Sequence, residues 1–288
     1  MPFRWILVVY FLAAGGCQSK IQQASCVDPS FQLIDSTLSP ADFNELDAPP
    51  YDNDQRESLA TDYLRKQCSR VEKQEISKRN GNNLICRLAG KSKSRIIVGA
   101  HYDRIGPGSG VADNWTGIVL IKRLAAAISE NSQMLTWELV AFGAEENGLL
   151  GSKTYLRKDD GQGKILAMIN IDTLGLGKVN IDSRSDDNLA CIANDLARAM
   201  EIDVSRARMR QTTGDWEPFD RQGIPVLNLH SLNRKSIKKV HTRQDRRSAI
   251  SDDDLNDAWR LLVNLQRYLD FKLSDQDALA QELKVRSN

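Results

Sequence analysis

Between residues 94 and 270, unbroken apolar runs alternate with segments whose apolar residues recur at helical spacing. That alternation restricts the fold more than any other feature of the chain. Arg95-Ile96-Ile97-Val98-Gly99-Ala100 shows no polar face after its first residue, as expected of a strand buried on both sides. Gly117–Ile128 then sets Ile118, Ile121, Leu124, Ala125 and Ile128 on one helical face. The pattern repeats with strands at 135–142, 166–171 and 225–229, and with helices at 148–157, 186–200 and 255–269. It predicts a single α/β domain: a central, mostly parallel mixed β-sheet flanked by helices on both faces. Upstream, 54–71 carries a helical stripe of Leu59, Tyr63 and Leu64, and 77–83 reads as a turn before Leu84-Ile85-Cys86.

In an open sheet of this type, ligands gather beyond the carboxyl ends of the strands, so the polar residues after each apolar run are the candidates. After the first run come His101 and Asp103, which face the same side and can touch. HxD alone is a weak signal, because a chance pair at a strand end is common. A loop with three glycines (106, 108, 110) leads to Asp113, which taken singly is a helix cap. No Gly-Lys-Ser/Thr follows, so a phosphate-binding loop is not supported. After the second strand come Glu145 and Glu146, adjacent acids that repel unless a cation or proton intervenes. Asp172 ends the third strand, where burial is costly without a partner. His241 arrives late in the chain, with Asp245 close behind. Each position has a bland explanation, yet together they set two histidines and several carboxylates on one expected rim. The chain has only three histidines, His101, His230 and His241, so a metal site here must lean on carboxylates.

The 39 basic and 38 acidic residues leave a formal charge of +1, without the basic excess of a nucleic-acid binder. Residues 1–17 have the anatomy of a secretory signal peptide: Arg4, an apolar run from Trp5 to Ala14, then small residues before Cys17. They also resemble a bacterial lipoprotein signal, in which Cys17 would carry the lipid and anchor the protein to a membrane surface. The expected location is outside the cytoplasm, periplasmic or on the cell surface. Residues 18–52 read as a tether with little regular structure, 53–272 as the domain that carries the candidate site, and 273–288 as a charged C-terminal tail. With Cys17 set aside, Cys26, Cys68, Cys86 and Cys191 allow three full disulfide pairings. For Cys191 a buried free thiol is an equal alternative.

The segments GAHYD (99–103), GVADNWTG (110–117), AFGAEENGLLGS (141–152), NIDTLG (170–175) and HTRQD (241–245) resemble, in order and spacing, the exported co-catalytic di-zinc aminopeptidases of peptidase family M28. The resemblance spans roughly residues 84–270 and implies the zinc exopeptidase fold and a metallopeptidase acting on peptide or protein N-termini. It implies two Zn²⁺ ions per chain. His101 and Asp172 would bind one, Glu146 and His241 the other, and Asp113 would bridge them. Asp103 would orient His101, and Glu145 would be the general base and then the acid. One departure stands out: Trp216 in Thr213-Gly214-Asp215-Trp216-Glu217-Pro218-Phe219 occupies a place where relatives carry histidine, which bears on the substrate pocket. His230 matches no ligand motif and reads as a hydrogen-bonded structural residue. Two other readings share the fold. One is a glutaminyl-cyclase-like acyltransferase with a similar ligand set around one zinc. The other is a non-catalytic, receptor-like relative, which should lack ligands that this chain retains.

Overall fold

Arg95–His101 is buried along its whole length in the computed structural model, which describes residues 25–208 and 212–285. Its alternate side chains separate the two layers that cover the sheet. Ile96, Val98 and Ala100 enter the larger core, while Ile97 joins Val140, Phe142 and Met168 in the smaller one. Eight strands form the sheet: β1 (Val71–Ser77), β2 (Gly81–Leu88), β3 (Arg95–His101), β4 (Thr136–Phe142), β5 (Ile165–Ile171), β6 (Asn180–Asp182), β7 (Ser205–Ala207) and β8 (Val226–His230). Their order is β1-β2-β4-β3-β5-β8-β6-β7. The central four, β4, β3, β5 and β8, are parallel neighbours, and antiparallel pairings bring in β1–β2 on one side and β6 on the other. At Gly99 a Cβ would stand 2.4 Å from the Phe142 ring, so only glycine lets the second core close against β3.

Among the described residues, seven α-helices complete the fold: α1 (Pro40–Asn44), α2 (Asn53–Arg65), α3 (Thr116–Ser129), α4 (Leu150–Arg157), α5 (Asp187–Ala199), α6 (Glu217–Asp220) and α7 (Asp252–Val285). Helices α2, α3, α5 and α7 feed the larger core, with Trp115, Leu124, Leu196, Trp259 and Leu265 fully buried. Helices α4 and α6 cover the other face through Tyr155 and Phe219, whose rings lie 5.8 Å apart. Among the described residues, no helix is long and apolar enough to cross a membrane.

The strands and helices expected from residue 94 onward are present. Five elements were not foreseen: the short helices α1 and α6, the strand β1, and the three-residue strands β6 and β7. β1 is polar along most of its length, and its pairing with β2, not its own pattern, makes it a strand. Helix α7 is longer than expected, starting on three acids at its positive end and running through most of the presumed tail.

The tether reading is corrected for the part that the structure describes. Residues 25–38 have almost no regular structure, yet they lie along α7, because distant side chains take their main-chain hydrogen bonds. The Ile34 N–H donates to Asn264 Oδ1 at 2.9 Å, and Asn264 Nδ2 donates back to the Ile34 carbonyl at 3.0 Å. Leu38 N–H donates to Asn256, Asp28 N–H to the Tyr268 hydroxyl, and Trp259 Nε1 to Ser36. Leu38 and Leu46 then enter the core. The signal segment, Cys17 and residues 286–288 lie outside the described residues.

Among the described residues two disulfides form, Cys26–Cys191 and Cys68–Cys86, so Cys191 is not a free thiol. The first fastens the N-terminal segment to α5 across 165 residues, and the second ties the end of α2 to β2 across 18. Non-reducing peptide mapping should recover these two pairs. A Cys26→Ser/Cys191→Ser variant should lose on the order of 2–5 kcal/mol of stability, read as a lower Tm with early proteolysis before residue 40.

Candidate active site

The three central strands end in candidate residues because their parallel register stops at one level. His101 is the last residue of β3, Asp172 follows β5 directly, and Glu145 and Glu146 lie three and four residues past β4. Asp113 comes from an irregular turn, Val111–Trp115, that leads into α3 and holds a cis peptide to Asn114. His241 comes from a loop after a 3-10 turn at Ser236–Lys238. Ala144, Thr173 and His241 all adopt left-handed backbone, with φ of 54°, 51° and 58°. Such positions cost of order 1–3 kcal/mol each and concentrate where structure is held for function.

The side chains converge as two triads joined by one carboxylate. His101 Nε2 lies 3.1 Å from Asp113 Oδ1 and 3.7 Å from Asp172 Oδ1. His241 Nε2 lies 3.0 Å from Asp113 Oδ2 and 3.0 Å from Glu146 Oε1. Each triad therefore offers one imidazole nitrogen and two carboxylate oxygens, all within 4.8 Å of one another. Glu145 belongs to neither triad and lines the same cavity, of about 350 Å³, with Thr173, Thr212, Leu232 and Val240.

Asp103 differs from its expected contact. Its backbone carbonyl, not its carboxylate, meets His101 Nδ1 at 3.0 Å, and the carboxylate stands 3.7 Å away. The carboxylate instead accepts the N–H groups of Glu145 at 3.0 Å and Glu146 at 3.2 Å. Asp103 thus fixes the turn that carries both glutamates. The reason is geometric: two residues past His101 the chain has left the strand, and same-face alternation no longer applies.

Other supports were not evident in the sequence. Asp245 accepts Ala112 N–H at 2.8 Å and Asp113 N–H at 3.2 Å, so the His241 loop positions the bridging aspartate directly. Gly106 sits against this loop with φ +77°, and a Cβ there would come within 2.5 Å of the His241 carbonyl. Arg56 of α2 is fully buried and donates to the carbonyls of Tyr102, Ser109, Gly110 and Pro50. It binds the stretch after His101 to the stretch before Asp113 while lying 4.8 Å from the Trp115 ring centre. Only pairing with backbone at a distance makes Arg56 a site residue, so no local pattern could find it.

Trp216 faces away from the cavity. It packs with Phe142 and Phe219 in the smaller core, under the Arg184 guanidinium at 4.7 Å, while Thr212 and Thr213 reach the cavity. His230 Nδ1 accepts the Leu232 N–H at 3.0 Å, in keeping with a structural role.

The charge balance of the cluster calls for cations. Burial pushes the Glu145 carboxyl up to about 10, with the charges of Asp215, Asp172 and Glu146 adding to it against His101. Burial likewise pushes Asp215 up to about 7. His241 is raised to about 10 by its hydrogen bonds to Asp113 and Glu146. Burial would lower His101, but Asp113 and Asp172 hold it well above its usual value. Without a metal, protons on the two imidazoles offset part of the carboxylate charge. Imidazole nitrogen and carboxylate oxygen are the donors that Zn²⁺ accepts, so the residues fit such an ion in each triad.

Fold and site together define a class: an α/β protein with a candidate two-metal centre on the carboxyl edge of its sheet. The model of peptidase family M28 matches residues 83–266, and the chain belongs to that family. It is 35% identical over 190 residues to a probable leucine aminopeptidase of Arthroderma otae, covering 57% of this chain and 50% of that protein. The chain spans about half the length of the curated relatives it matches. Among solved structures it is similar to the LapA aminopeptidase of Legionella pneumophila (TM-score 0.70, 15% identity, 83% of this chain and 78% of that one). It is also similar to a zinc aminopeptidase from Bacillus subtilis (0.57, 22%, 64% and 49%) and to Fimbriiglobus ruber glutaminyl cyclase (0.68, 17%, 84% and 98%). These likenesses show the fold.

Metal binding should displace the imidazole protons, because a ligating histidine must be neutral. With His241 raised to about 10 in the metal-free protein, affinity should rise with pH from 6 to 9. Titration calorimetry in buffers of different ionisation enthalpy should show at least one proton released for the ion at the His241 triad. Equal heats in all buffers would contradict the charge balance described.

Proposed function

We propose that this chain is an exported zinc-dependent aminopeptidase that hydrolyses the first peptide bond of peptides or proteins. The observation that carries the reading is the division of Asp113. Its two oxygens face different histidines, each 3.0–3.1 Å away, so the geometry suits two ions sharing one carboxylate. His101 and Asp172 would hold one ion, and Glu146 and His241 the other. Zinc bound there would supply a Lewis acid and a water whose pKa falls towards neutrality.

The rest of the chemistry belongs to the chain's own residues. Cationic charge in the triads would lower the Glu145 pKa from its metal-free value of about 10, leaving a carboxylate able to take a proton. Glu145 would accept the proton of the attacking water as oxygen adds to the scissile carbonyl carbon. It would then return that proton to the amine nitrogen as the C–N bond breaks, so no acyl-enzyme forms. Asp103 keeps this base aimed by holding the Glu145 N–H. Every ligand position is filled, which favours an enzyme over a receptor-like relative.

Two disulfides suit an oxidising compartment, which supports export through residues 1–17, with Cys17 as the candidate lipid anchor. The partners expected are peptide or protein N-termini, and no nucleic acid.

Protein lacking residues 1–17, loaded with zinc, should release amine from aminoacyl anilides and lose that activity to chelators. Glu145→Gln should keep its zinc, measured by atomic absorption, while kcat falls by about 10²–10⁴. A Glu145→Gln protein with full turnover would refute the mechanism. Cyclisation of N-terminal glutamine without cleavage of free peptides would favour the acyltransferase instead.

A further inference from the structure

The fourteen residues 234–247 carry seven Lys or Arg and one acid, a net +6 in a chain whose total is +1. The remainder of the chain therefore sums to −5, and positive charge is concentrated on the segment that supplies His241. Its one acid, Asp245, is buried and turned inward onto Ala112 and Asp113, so it does not screen the outer face. Arg247 is engaged by Asp47 and Asp252. Arg234, Lys235, Lys238, Arg243 and Arg246 are exposed and Lys239 is half-buried. Among the described residues, no carboxylate stands within ion-pair distance of these six.

The same segment lines the site. Ile237, Val240 and His241 face the cavity, so the cations interleave with lining residues. The direction in which the cavity opens follows from exposure of the ligands. The His241 side chain is 45% exposed, against 3% for His101, 8% for Asp113, 7% for Glu146 and 17% for Asp172. A chain held with its first residue inside and its scissile bond at the ligands leaves past His241, along this loop. Arg104, half-buried on the 103–108 loop that packs against the His241 carbonyl, is engaged by the Tyr51 and Gly106 carbonyls and is not one of the six.

We propose that the 234–247 loop is a binding surface for acidic residues on the leaving side of the scissile bond, which makes peptides with Asp or Glu shortly after the first residue the preferred substrates. This inference rests on the aminopeptidase reading and specifies its substrate class. Exposed cations each contribute little to affinity in salt, but a one-sign rim raises local substrate concentration and encounter rate by 10–10³. The preference should therefore appear in kcat/KM, fade as salt shortens the screening length, and leave kcat nearly unchanged.

The test compares Leu-Glu-Glu-Ala with Leu-Lys-Lys-Ala on the zinc-loaded protein, with leucine anilide as a substrate that has no downstream residues. Binding of the same peptides, fluorescently labelled at their C-termini, to Glu145→Gln protein is measured in parallel, so that selectivity is read without turnover. At low salt the acidic peptide should lead by about tenfold or more in kcat/KM and in binding, shrinking to about twofold or less at 0.5 M salt. In Lys235→Glu/Lys238→Glu/Arg243→Glu protein, with unchanged Tm and zinc content, that lead should vanish or reverse. Cleaved anilide with both peptides within twofold would overturn the inference and leave the aminopeptidase reading standing. Absent cleavage with intact acidic selectivity in binding would do the reverse. Retention on anionic vesicles or DNA that the triple variant loses, with no difference between the peptides, would also overturn it and assign the rim to a polyanion.

Discussion

One carboxylate shared by two imidazoles is the constraint on which the rest of this structure depends. Asp113 lies between His101 and His241, and each of its oxygens serves a different nitrogen. A buried carboxylate at the meeting of two triads is stable only while positive charge stands on both sides. The surrounding carboxyl groups, from Asp172, Glu145 and Glu146, make that requirement stronger. The fold keeps them together because they sit on the ends of strands and on loops whose positions are set by a sheet with two well-filled cores.

Much of the polar machinery around the site works on backbone. Asp103 holds the N–H groups of Glu145 and Glu146, Asp245 holds those of Ala112 and Asp113, and Arg56 gathers carbonyls from three stretches of chain. These buried charges satisfy main-chain groups that the irregular loops leave unpaired. They also fix loop positions without crowding the cavity with further side chains. The N-terminal segment follows the same logic on the far side of the fold, where asparagine and tyrosine side chains of α7 replace a strand partner.

The central strands and main helices were legible in the sequence because local periodicity reports burial directly. His101, Glu145, Glu146 and Asp172 were legible for a related reason: a polar residue that follows a buried parallel strand has few places to go other than the sheet edge, whereas Asp113 and His241 lie on loops. Asp103 shows the limit of such reasoning. Its spacing from His101 pointed to a side-chain contact, but the chain bends after the strand and the backbone carbonyl makes that contact instead. Trp216 shows another limit. It occupies an expected pocket position in the motif, yet the core recruits it and leaves the cavity wall to Thr212 and Thr213.

By itself the sequence determined the α/β class and the order of the central elements, since each depends on patterns within a few positions of the chain, and it offered the seven candidate residues through the order and spacing of motifs along the chain. Tertiary structure alone decided the rest. It chose Cys26–Cys191 and Cys68–Cys86 from three pairings, folded the N-terminal segment onto α7, gave Arg56 its place and turned Asp103 to the glutamate N–H groups. The physical reason is common to all four. Each is a contact between groups far apart in the chain or pointed by an irregular loop, and no local periodicity encodes such a distance.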